Sequence, residues 1–127
     1  MFYIVESDKS FYEACFDLEP VIQRLGFVVL HSHDLAAMLR GTEAEPDDEC
    51  RIFEIGNYRL SEKMLALDMR LSLLLPWRIA VFTQDGATKI GLLRPQGMLN
   101  LLGPNPELSR LGGEIEERMM QIVDEAR

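Results

Sequence analysis

The sequence is poor in several things that would have narrowed its function. Its 127 residues hold two cysteines, Cys15 and Cys50, too few for a disulfide framework. Its longest apolar run, Leu71 to Trp77, contains Ser72 and Pro76 and falls far short of the ~20 residues a membrane-spanning helix needs. No charged segment followed by an apolar stretch opens the chain, because Glu6, Asp8 and Lys9 come early. No membrane partner is expected, and the expected location is cytoplasmic. Basic residues are also scarce: 13 against 21 acidic, for a formal charge of −8. Arg51, Arg70, Arg78, Lys89 and Arg94 are scattered among acids, so a phosphate backbone would be repelled and nucleic acid is not an expected partner. Walker A, dinucleotide-binding glycine, Gly-x-Ser-x-Gly and Cys-x-x-Cys motifs are all missing.

What is present suits one domain over residues 1–127. Hydrophobic residues make up 47% of the chain, enough for a single packed core at this length. Phe2 to Val5 reads as a first strand. Ser10 and Glu13 then form a capping-box pattern, and Phe11, Ala14, Cys15, Leu18, Val21, Ile22 and Leu25 follow at helical spacing. Pro20 is expected to kink that helix or leave a carbonyl unpaired; Gly26 stands at its C-terminal end. Phe27 to His33 is a second strand, apolar on both faces at its start and therefore expected to be central. Gly41 to Glu49 is an acidic loop, and Cys50 to Ile55 a third strand.

Leu60, Met64, Leu67, Leu71 and Leu74 give a helical stripe that Asp68 divides into one bent helix or two. Trp77 to Thr83 and Thr88 to Arg94 form a hairpin around Asp85-Gly86. After a short helical stretch from Gln96 to Leu102, Asn105-Pro106 caps a final helix. Gly112-Gly113 lies inside it and signals a break or a close backbone neighbour. The order β-α-β-β-α-β-β-α predicts an α+β fold, with a mainly antiparallel five-stranded sheet and helices packed on one face.

Several blocks in order resemble the bacterial and archaeal "domain of unknown function 302" family. They are Met1 to Ser7, Gly26-Phe27 through His31-Ser32-His33-Asp34-Leu35, Glu49 to Glu54, Leu75-Pro76, Asp85-Gly86 with Thr88 to Gly91, Arg94-Pro95, and Val123 to Arg127. The resemblance implies a curved antiparallel sheet of the TATA-binding-protein class and a homodimer, and it implies no reaction. Members of that family carry cysteine near the end of the third strand and after the Leu-Pro pair. This chain has Gly56-Asn57-Tyr58 and Trp77 there, so no thiol or metal role carries over to those positions.

The residues that bear chemistry cluster in strands two to four. His31 and His33 are two apart on a strand and share a face; with Glu54 they are candidate metal ligands. Cys50 with His33 and Asp34 supplies the residue types of a nucleophile, base and orienting carboxylate, although a strand cysteine is ordinarily a small buried hydrophobe. Glu54 is expected to pair with an arginine, Arg51 or Arg78. The leading expectation is a non-catalytic homodimer that binds a small-molecule ligand between the sheet and its helices through His33, Cys50, Glu54 and Arg78. No cofactor is implied. The alternative is a metal-dependent or cysteine-based enzyme using His31, His33, Cys50 and Glu54.

Overall fold

Phe11, Ala14, Cys15, Leu18 and Ile22 recur every three or four residues, and all five are buried along one stripe of α1 (Phe11–Arg24). The computed structural model describes residues 1–127. Ser10 caps α1 by accepting the Glu13 N–H at 3.2 Å. The helix runs through Pro20, which lies on the solvent side. Gly26 then turns the chain at φ +89°, a conformation that favours glycine.

Five strands follow the hydrophobic pattern: β1 (Phe2–Ser7), β2 (Val28–Asp34), β3 (Cys50–Gly56), β4 (Trp77–Gln84) and β5 (Ala87–Leu93). They form one sheet in the order β1-β5-β4-β3-β2, with every neighbouring pair antiparallel. β2 is therefore an edge strand, not the central one its apolar start suggested. Phe27 is buried just before the strand begins, while Val28 and Leu30 are exposed, so its apolar residues do not mark burial on both faces. The register of β2 also slips between Val29 and His31, a bulge of the kind that protects sheet edges.

Two short helices join the larger ones: α2 (Leu35–Leu39), capped by Asp34, and α4 (Pro95–Leu99). The stripe after the third strand resolves into two pieces. α3 (Tyr58–Leu67) starts on the Asn57 cap, and Asp68 caps a separate 3-10 turn over Met69–Leu74. α5 (Pro106–Ala126) is continuous across both glycines. A Cβ on Gly112 would stand 2.7 Å from Leu99 Cδ1, so the glycine lets α4 lie close against α5. Glu116 strengthens that contact: it reaches Arg94 at 3.1 Å and accepts the Gln96 N–H at 3.2 Å.

The core lies between one face of the sheet and helices α1, α3 and α5. Val5, Phe53, Ile55, Trp77, Ile79, Val81, Ile90 and Leu92 meet Leu18, Ile22, Leu60, Met64, Ile115, Met119 and Ile122 there. The architecture is α+β, with the helices stacked on one side. No helix is long and apolar enough to cross a membrane.

Candidate functional site

Strand alternation sends every second side chain away from the helices. The registers place three rows across that uncovered face. The first is His31–Glu54–Arg78, continuing to Leu93 and Phe2; the second is His33–Ile52–Ala80–Gly91–Ile4; the third is Cys50–Phe82–Lys89–Glu6. A sheet face turned to water normally carries polar side chains. This one is mixed: polar residues take its corners, but Phe2 is 74% exposed and Ile4 49%, and Ile52, Ala80, Phe82 and Leu93 share the face.

The centre of that face is hollow because its residues are small. Ala80 and Gly91 are direct cross-strand partners, flanked in the same row by Ile52 and Ile4. Gly91 is required by its surroundings: a Cβ there would lie 3.1 Å from the Tyr3 carbonyl oxygen of β1 and 2.9 Å from Ile4 Cγ1. The resulting cavity has a volume of about 410 Å³, within the usual range for small-molecule sites. Phe82 closes one end. Leu73, Leu74 and Pro76, at the end of the 3-10 turn, rim the other, with Met98 nearby. Of the 14 lining residues, 11 are hydrophobic and Arg78 brings the charge.

The four residues expected to form the site divide. Arg78 lines the cavity. His33 and Glu54 meet beside it, with Nε2 and Oε1 3.3 Å apart. Glu54 faces Arg78 in register, yet its near partner is His33, so the arginine pairing expected for Glu54 is not the one formed. Cys50 opens β3 opposite Phe82, one row beyond Ile52, and is not part of the cavity wall. The ligand was expected between the sheet and its helices. Between sheet and helices the core is packed, apart from an open groove of about 500 Å³ between α1 and the β2–β3 edge, and the apolar cavity lies on the opposite side of the sheet.

The residues proposed for catalysis or metal binding are arranged for neither. The rings of His31 and His33 stack edge to face with centroids 4.5 Å apart, and His33 is turned to Glu54. No group of three or more His, Cys, Asp or Glu side chains is placed to hold a metal ion. Burial raises the Cys50 thiol above its ordinary pKa, and the negative charge of Asp34 adds to the effect. A nucleophilic cysteine needs the opposite shift. Asp34 is committed elsewhere: it accepts the Ala37 N–H at 2.9 Å, which holds its carboxyl below the usual range, and sits 3.6 Å from Arg51. Arg51 in turn lies over the Phe11 ring at 5.5 Å, a structural contact on the helix side. Sequence reasoning did not single out Ala80, Gly91 or Ile4. The available signal was two small residues, one on each strand of the β4–β5 hairpin, among larger ones.

The family model described as domain of unknown function DUF302 matches residues 3–126. No curated protein matches the chain. Among solved structures, the crystal structure of an uncharacterised conserved DUF302 protein from Bacillus stearothermophilus superposes with a TM-score of 0.94. The two chains are 24% identical, and the match covers 99% of this one and 98% of the other. That likeness speaks for the fold.

Proposed function

This chain belongs to the DUF302 family, and we propose that it is a non-catalytic homodimer that holds a small ligand on the uncovered face of its sheet. One observation carries the reading: an apolar cavity, with exposed Phe2 and Ile4 in its wall, sunk into the sheet face that the helices leave uncovered. Contiguous exposed apolar surface is costly in water and marks a binding surface. A binding role is favoured over a catalytic one because the cavity wall itself offers one cation and no nucleophile, and His33 and Glu54 beside it are turned to each other.

A second copy of the chain suits the rest of the face. It carries both signs of charge, with Glu6 and Glu54 against Arg78 and Lys89, as a self-complementary two-fold contact requires. Two copies laid sheet to sheet would cover Phe2, Ile4 and Leu93 and close the cavity from above. Two free thiols suit a reducing, cytoplasmic setting.

Sedimentation of the purified protein at micromolar concentration tests the assembly. The wild type should run as a dimer, and Ile4→Lys, which sets a charge among the exposed apolar residues of the edge strand β1, as a folded monomer. A monomeric wild type would overturn the dimer. Thermal-shift screening against metabolites, with native mass spectrometry, tests the ligand. A folded protein that retains no small molecule and is stabilised by none would overturn that part.

A further inference from the structure

Arg78 stands apart from most arginines of the molecule. Arg24, Arg51, Arg70, Arg94 and Arg118 each reach a carboxylate within ion-pair distance. Arg78 reaches none, although Glu54 is its register partner, because Glu54 leans to His33 at 3.3 Å. Arg78 is an exposed member of the wall of a cavity that is otherwise nearly all apolar. A guanidinium is the most weakly hydrated of the side-chain cations and presents a planar fork that matches a carboxylate. Beside it, Ala80 and Gly91 leave a channel floor with no donor or acceptor to offer beyond the backbone's own ladder.

We propose that the ligand is a small amphipathic monoanion, its carboxylate held by Arg78 and its apolar body laid along the Ala80–Gly91 floor. The inference rests on the cavity being a ligand site and adds the chemical class. A single negative charge is specified because one arginine lines the cavity while Glu54 and Glu6 share the face, and the whole chain carries −8. A dianion such as a phosphomonoester would meet repulsion that one guanidinium does not offset. A neutral apolar molecule would fill the floor and leave the cation without a partner.

Calorimetry reads the binding, because Trp77, the only tryptophan, is buried in the core on the helix side of the sheet. The probes are octanoate and octanol, alike in apolar body and different in charge. Each is titrated into wild type, Arg78→Gln and Ala80→Leu, with melting curves to show that each variant is folded. Octanoate should bind wild type about tenfold or more tighter than octanol, the scale of one charge-assisted hydrogen-bonded contact. Arg78→Gln should bring octanoate down to the level of octanol and leave octanol unchanged. Ala80→Leu, which fills the floor, should weaken both.

Equal affinity of wild type for the two probes would overturn the anionic class while leaving the cavity as a ligand site. Binding of neither probe would overturn both. Loss of octanol as well as octanoate in folded Arg78→Gln would show that Arg78 shapes the cavity rather than anchoring a charge, and overturns its role. Arg78→Gln that sediments as a monomer when wild type is a dimer would assign the guanidinium to the partner copy, and that too would overturn its role as the anchor. Sodium phosphate should give no saturable heat; a saturable response to it would overturn the monoanion.

Discussion

Cys15 and Cys50 differ in setting, and their chemistry should differ accordingly. Cys15 lies in the stripe of α1 at 5% exposure, and burial pushes its thiol up to about 11. At pH 8 roughly one such thiol in a thousand is ionised, and the thiolate is the reactive form. Cys50 is half-buried and its thiol is raised less, by burial and then by Asp34. Labelling with an uncharged maleimide at pH 8 should therefore modify Cys50 slowly, more slowly than a free cysteine, and Cys15 only after unfolding. Raising the pH speeds both reactions. A Cys50 that labels faster than free cysteine at neutral pH would revive the nucleophile that its setting argues against. At this scale the sequence was half legible. Cys15 falls on a helical period that marks it as core. The separation of Cys50 from Arg78 depended on strand register and on the packing of side chains from three strands, and no local pattern records either.

Gly112 and Gly113 look equivalent as letters and are not equivalent in α5. A Cβ on Gly112 would press on Leu99, itself 2% exposed and unable to swing away. A Cβ on Gly113 would meet only Gln96 side-chain atoms, all at ordinary contact distances of 3.7 Å or more. Alanine in a helix interior is favoured over glycine by about 1 kcal/mol. Gly113→Ala should accordingly raise the melting temperature by a few degrees. Gly112→Ala should forfeit that gain to overpacking, which costs about 1–3 kcal/mol, and melt lower than Gly113→Ala. The opposite order would show that α4 is not held against α5. Most elements were readable from period and caps: Ser10 and Asn105 each accept an N–H at the start of the helix they precede, as Asn57, not read as a cap, also does. The position of β2 was not, because an apolar strand start reads as central whether the exposed residues face water or a partner. The short α2 was missed, since five residues are too few to show a period.

Seen whole, the molecule has a helix side with a packed core, open only along the groove beside α1, and a sheet side without helices. The chain end helps to seal the first. Tyr3 donates to Asp124, Lys9 reaches the Ala126 carbonyl oxygen at 3.0 Å, and Arg24 meets Glu125 at 2.8 Å. With these contacts α5 is drawn over β1 and α1, and little volume remains beneath it for a ligand. On the other side exposed Ile4 and half-buried Ile52, Ala80 and Phe82 surround a hollow over Gly91, with Arg78 in its wall. That asymmetry is what a composition of 47% hydrophobic residues leaves unspoken, since it counts apolar residues without saying which side of the sheet they take.

Amide chemical-shift mapping of isotope-labelled protein titrated with octanoate tests the central claim most directly, because it reports where a ligand sits without reference to how tightly it binds. Saturable shifts are predicted at Ile4, Ile52, Ala80 and Gly91, with Arg78 at one end. Shifts gathered instead along the groove of Tyr12, Phe16 and Ser32 beside α1, or none at all, would contradict it.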